Sequence, residues 1–417
     1  MDIGVSLSRH PHLAASPWPA EDGGPRRQQR PHSIVGPQAA RAELAASRLA
    51  PLSIMALLTS DERVLVLRKG VGPDEPSWVE EIDPDSLEER QRSIDLAVGP
   101  FWPGGMAVLA DGAIVVVQGR WAHRLRPDLT VERSRELPVD APYNSFVVLD
   151  DGLLATKDLQ RPDGPPSTLS ILDPLTLDDR VEPYALSEPC VARLAADGNE
   201  IVVVGTTGLH RIHWDPTSGQ LGPAAPSFTY LDDAERSFGW DPLVDAGAIW
   251  WMDGGDHTFA AGMTMLGNGV ASGANRLWKL PLDGAPPAWV EISGQPGGAV
   301  TNPPIVDPER GLVIAYDSAN GVAAAFDIAD LTMRWRIELA TAQHLVLYAD
   351  TGELVADDHD PELGDSLVVI DVATGTVRAR VVVDSPAQSV VFGAPGTRRD
   401  FYFVSLSTIA RVTFHDT

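Results

Sequence analysis

Short apolar runs separated by turn residues follow one another along almost the whole chain. Met106-Ala107-Val108-Leu109 passes through Ala110-Asp111-Gly112 into Ala113-Ile114-Val115-Val116-Val117. The same pattern returns from Phe146 to Leu154 around Asp151-Gly152, from Val191 to Val204 around Asp197-Gly198, and from Leu345 to Val355 around Asp350-Thr351-Gly352. Asp-Gly between apolar runs is the strongest short-range hairpin signal, because its tight turn wants positive φ at both central residues. No segment keeps a helical period over about 12 residues, so the expectation is an all-β chain.

A second motif interleaves with these hairpins. It is an apolar pair, then Asp-Pro or an equivalent, then a turn ending in Gly or Leu. It reads Ile82-Asp83-Pro84-Asp85-Ser86-Leu87, then Leu125-Arg126-Pro127-Asp128-Leu129, Leu172-Asp173-Pro174-Leu175-Thr176-Leu177 and Trp214-Asp215-Pro216-Thr217-Ser218-Gly219. Weaker copies are Leu280-Pro281-Leu282-Asp283-Gly284, Phe326-Asp327-Ile328-Ala329-Asp330-Leu331 and Ile370-Asp371-Val372-Ala373-Thr374-Gly375. The copies recur at the roughly 40–50-residue period of propeller blades, except that one unit carries about 20 extra residues. The expected fold is a single all-β propeller over residues 51–417, of eight four-stranded blades, with seven as the alternative. Its strands are lettered A to D from the axis outward. The eighth unit lacks an outer strand, and His32-Ser33-Ile34-Val35-Gly36 is the N-terminal candidate to close the ring.

Two copies carry a resemblance. Ala325-x-Asp327 followed by Trp335, and Ile370-Asp371-Val372-Ala373-Thr374-Gly375, resemble the repeat of quinoprotein-like (PQQ-type) propellers, Ala-x-Asp-x-x-Thr-Gly-x-x-x-Trp. The resemblance implies the fold over roughly residues 53–414. The quinone-binding enzymes of that superfamily use a pair of adjacent cysteines. This chain has one cysteine, Cys190, which argues against PQQ as a cofactor.

Charge narrows the partners. The chain holds 58 acidic and 32 basic residues, a net charge of −26. Such an excess repels phosphate backbones and anionic membranes, so neither nucleic acid nor membrane is an expected partner. A protein partner stays open. One cysteine allows no intramolecular disulfide, and no apolar run is long enough for a membrane helix, so the cytoplasm is the default expectation. Residues 1–50 differ from the rest. They are Arg-rich and Pro-rich around Glu21-Asp22-Gly23-Gly24-Pro25, and read as a disordered leader.

Candidate chemistry follows from the topology. The D-to-A and B-to-C connections of a propeller share one face, around the mouth of the channel, and the A-to-B hairpins occupy the other. Histidines flanked by carboxylates on the mouth face are candidate general acids and bases. His344 leads, with His359, Asp358 and His257. Tyr143, Lys157, Trp240, Tyr316 and Asn320 are candidates to bind substrate, and Arg161 and Arg334 to hold a carboxylate. Asn144, Glu188, Asp241 and Asn302 each stand at a strand-A entrance, and converging oxygens suit Ca²⁺ or another divalent cation. That set is similar to the axial metal site of calcium-dependent lactonase propellers. The extra residues, Phe259 to Val270, are apolar and glycine-interrupted. They read as a lid or pocket wall beside Trp240, Trp250 and Trp251. The expected activity is hydrolysis or a lyase-type elimination of a small, partly apolar molecule. The alternatives are a non-catalytic scaffold for protein interaction and a quinone-dependent oxidoreductase.

Overall fold

The computed structural model describes residues 10–32, 36–72, 75–256 and 264–416. Its strands form eight antiparallel sheets arranged as the blades of a propeller, and blade four carries a short fifth strand, Phe228–Thr229. Blade one runs outward as Ser53–Leu58, Val64–Lys69, Ser77–Ile82 and Glu89–Arg92. Its first two strands are buried throughout and its last is exposed throughout, so apolarity falls with distance from the axis. The inner strands of blades two to eight are Gly105–Val108, Tyr143–Val148, Leu194–Asp197, Leu243–Asp245, Ile305–Asp307, Val346–Tyr348 and Ala394–Pro395.

An N-terminal strand closes the ring, but it lies further along than His32–Gly36, of which Ser33–Val35 fall outside the described residues. Arg41–Leu49 forms the outer strand of blade eight, antiparallel to Thr408–His415, from Arg41 opposite His415 to Leu49 opposite Thr408. Its side chains alternate between exposed and half-buried, as on any outer strand. That shallow contrast hides it in the sequence.

The turns differ from the expected hairpins in one respect. At Asp111-Gly112 and Asp151-Gly152 only the glycine has positive φ, 82° and 86°. Gly112 N–H donates to Leu109 O at 2.9 Å, and Asp111 Oδ1 accepts from Ala113 N–H at 3.0 Å. The loop is thus a four-residue turn closed by a left-handed glycine, with the aspartate clamping the next residue. The Asp-Pro turns explain their alternation of Gly and Leu. Leu87, Leu129, Leu177 and Leu331 sit at φ of 60–67°, where Gly219, Gly284 and Gly375 stand in other blades. A left-handed leucine costs about 1–2 kcal/mol. These leucines are nearly fully buried, which returns about 1.5–3 kcal/mol each.

The leader is ordered inside the ring over residues 10–32, contrary to the expectation of disorder. Its carbonyls replace ladder partners at the hairpin ends of the inner strands. Leu58 N–H donates to Trp18 O, Val108 to Pro19, Ala196 to Pro25, Val244 to Arg26 and Leu347 to Gln29. Gln29 Nε2 donates to Pro304 O at the entrance of blade six, and Arg27 reaches Ser145 Oγ in blade three. The segment therefore stops the hairpin end of the channel while touching seven inner strands. Trp18 is 1% exposed. Trp18→Ala should cost about 3–5 kcal/mol in denaturant unfolding; an unchanged midpoint would show that the segment is not part of the folded core.

Candidate functional site

Beneath the mouth, the channel axis is filled by charge. Arg27 of the leader, 1% exposed, pairs with Glu21 and, at 2.6 Å, with Asp22 Oδ2. Arg193, at the entrance to blade four, shares the same Glu21 oxygen, Oε1, at 3.1 Å and lies 3.6 Å from Asp241 Oδ2. Asp22 Oδ1 is 2.7 Å from His344 Nδ1. Burial opposes charge at Arg27 and Asp22, yet the neighbouring acids raise Arg27, and His344 with Arg27 brings Asp22 below its ordinary value. Burial holds the His344 imidazole below its ordinary value, outweighing Asp22 beside it. The His344 ring packs 3.7 Å from the Phe392 ring, and Arg193 lies 4.6 Å above that same ring.

The expected axial ligands turn out to fasten blades. Asn144 Nδ2 donates to Val191 O of blade four at 2.9 Å, Asp241 Oδ1 accepts Arg193 N–H at 2.7 Å, and Asn302 Nδ2 donates to Ala342 O of blade seven. Glu188 leaves the set. It accepts from His210 Nε2 at 2.7 Å and from Thr207 and Gly208 N–H. The remaining oxygen of Asp241 faces both Arg193 and Arg27, so a divalent cation there would be repelled by two guanidiniums. Among the described residues no group of three or more His, Cys, Asp and Glu side chains is placed to hold a metal.

The acid–base candidates do not meet. His344 faces Asp22, while His359 Nδ1 lies 2.7 Å from Asp365 Oδ1, a hydrogen bond that raises the imidazole against its burial. Asp358 accepts from Ala340 N–H at 2.8 Å and pairs with Arg380. His257 lies outside the described residues. Asp357, pushed up to about 8 by burial and by Asp365, clamps Thr341, Ala342 and Gln343. Asp158, Asp253 and Asp317 hold backbone N–H groups in the same way at the ends of other B strands.

The binding candidates also separate. Tyr143 and Tyr316 are fully buried, and Asn320 Nδ2 is spent on Asp317 and Pro296 O. Lys157 is fully buried, and its Nζ donates to Cys190 O at 3.0 Å; burial lowers its basicity. Cys190 is buried as expected. Trp251 stacks on Trp278 at 5.6 Å, and Trp250 donates to Asp245 O, so both belong to the core.

Trp240 and the carboxylate candidate Arg161 line an open site. They join Phe101, Trp102, Arg193, Met265 and Val390 around a cavity of about 320 Å³ at the mouth. A second lobe of about 500 Å³ runs over Pro142, Leu159 and Val191 and shares Phe101, Trp102 and Arg161 with the first. In blade five, residues 257–263 lie outside the described residues, and of the extra residues Met265 lines the cavity. Met265 and Leu266 N–H donate to Gln388 Oε1 at the entrance of blade eight, which seats Met265 against the cavity. A polar cavity of about 460 Å³ on the hairpin face is lined by leader residues. Its arginines are engaged, Arg26 by Asp197 and Arg30 by Asp245. The sequence reading missed Phe101, Trp102 and Arg193. Phe101-Trp102-Pro103-Gly104-Gly105, an aromatic pair ahead of a strand-A entrance, was the available signal.

No protein-family model and no curated protein sequence matches the chain. Solved structures match its fold. Quinohemoprotein alcohol dehydrogenase from Comamonas testosteroni aligns with 99% of this chain and 82% of its own, at a TM-score of 0.66 and 12% identity. BamB from Moraxella catarrhalis aligns with 90% and 99%, at 0.56 and 13%. Sqt1 from Chaetomium thermophilum aligns with 91% and 99%, at 0.57 and 15%. In architecture the chain is an eight-bladed propeller of four-stranded antiparallel blades, the fold it shares with these structures. At these identities the likeness extends to the fold alone. Among the described residues no helix is long and apolar enough to cross a membrane.

Two outcomes test the axial charges. Arg27→Met removes the guanidinium shared by the buried Glu21 and Asp22 and should cost about 3–5 kcal/mol in equilibrium unfolding; a loss below 1 kcal/mol would mean the network does little. Lys157→Met removes a buried charge and should stabilise the chain near neutral pH. A lysine whose folded pKa is depressed penalises folding below that pKa and ceases to do so near its unfolded value of 10.5. The advantage of Lys157→Met should therefore shrink as pH rises toward 10.5. An advantage independent of pH would show that Lys157 is not desolvated.

Proposed function

We propose that this chain binds a small, partly apolar molecule in the mouth cavity. The observation that carries the reading is the pair of lobes joined at Phe101 and Trp102, with Trp240 and Met265 in the wall. Their volumes fall in the range of about 300–1,000 Å³ common to small-molecule sites, and large aromatics around a few polar groups are the usual lining. The charged axis beneath supplies a rigid floor rather than a passage.

Acid–base chemistry by His344 is the second reading, and one observation favours it. Its Nε2 has no hydrogen-bond partner while Asp22 holds Nδ1, the arrangement of an oriented base. A substrate would have to reach it past Phe392 and Arg193. In that case His344→Gln should abolish turnover and spare binding.

Binding is tested by ligand-observed NMR with aromatic fragments. Fragments should show saturation transfer from the native chain, and Trp102→Ser should reduce it severalfold. Equal transfer from Trp102→Ser would remove the mouth cavity as the site.

A further inference from the structure

We propose that the molecule held at the mouth is a carboxylic acid carrying one negative charge and an apolar body, and that Arg161 reads its carboxylate. The inference rests on the mouth cavity being the binding site. Two guanidiniums line that cavity, and they differ in kind. Arg193 is already balanced: it lies against Glu21 and Asp241 and donates from Nη2 to Pro103 O at 3.1 Å. Arg161 stands on the B-to-C loop of blade three, exposed to solvent, at the junction of the two lobes. Among the described residues it has no carboxylate within 4 Å.

Among the described arginines that vacancy is shared by Arg133 and Arg336, and of the three only Arg161 lines the mouth cavity. Arg120 and Arg180, also near the surface of blades two and three, each find a carboxylate. A guanidinium is a planar fork of donors that matches a carboxylate in two parallel hydrogen bonds. It sits beside Trp102, so one ligand can bury its body against the aromatic pair and bring its acid to Arg161. The number of charges is limited from the other side. Asp140 and Asp163 line the second lobe, and the net charge of −26 repels anions at a distance. Both disfavour a doubly charged phosphate more than a single carboxylate.

Calorimetry with 4-phenylbutyrate and its neutral isostere 4-phenylbutanamide tests this on the full chain at pH 7. The acid should bind at least tenfold more tightly than the amide, and added salt should narrow the gap because Arg161 is exposed. Arg161→Gln, on a surface loop and so expected to leave the melting temperature unchanged, should bring the acid down to the amide and leave the amide unaffected. Equal affinities in the native chain, or a preference that survives Arg161→Gln, would overturn the assignment of Arg161 while leaving the cavity in place. Failure of both probes to bind would overturn the cavity reading and this one together.

Discussion

The ion pairs of Arg27 at the channel axis are the constraint around which the rest of the molecule is arranged. A guanidinium 1% exposed is tolerable only with its charge matched and its donors satisfied. Glu21 and Asp22 come from the same segment, while Asp241 and Ser145 come from blades five and three and Leu194 O from blade four. One side chain thus joins the leader to three blades. Replacing such a network by apolar residues is often neutral in stability, so its value lies in specifying one arrangement. Here it ties the leader to blades three, four and five.

The two ends of the channel become unlike as a result. At the hairpin end the leader supplies carbonyls to inner strands that have no further neighbour, and its arginines neutralise turn aspartates such as Asp197 and Asp245. At the mouth end Arg193 closes the axis, with Glu21 below it and the cavity above. A propeller with an open channel could present ligands to either end. This one is stopped by the leader at the hairpin end and carries an aromatic cavity over a charged floor at the mouth.

Repetition made the fold legible. Four antiparallel strands per unit repeat their Asp-Gly and Asp-Pro turns because each turn has a local cause, a left-handed glycine or a buried left-handed leucine, and local causes are written in adjacent residues. The closing strand was harder to see because Arg41–Leu49 packs one lightly buried face. The leader was unreadable for a different reason. Glu21-Asp22-Gly23-Gly24-Pro25-Arg26-Arg27 has the composition of a solvated linker, and only partners more than a hundred residues away, Ser145, Arg193, Asp241 and His344, turn its charges into core. Position on the mouth face was likewise legible, but direction was not. Asn144, Asp241 and Asn302 stand where expected and point sideways to a neighbouring blade. Phe101 and Trp102, in a loop with no polar residue to draw attention, form the cavity wall.

Hydrogen exchange of the full chain measures the central claim most directly. The amides of Leu58, Val108, Ala196, Val244 and Leu347 donate to leader carbonyls, so their protection depends on the leader staying docked. Those five amides, with the bonded leader amides of Ala14, Arg27 and Gln29, should exchange as slowly as the rest of the inner strands. Exchange of residues 12–30 at the rate of an unfolded chain, with the ring still protected, would contradict that claim.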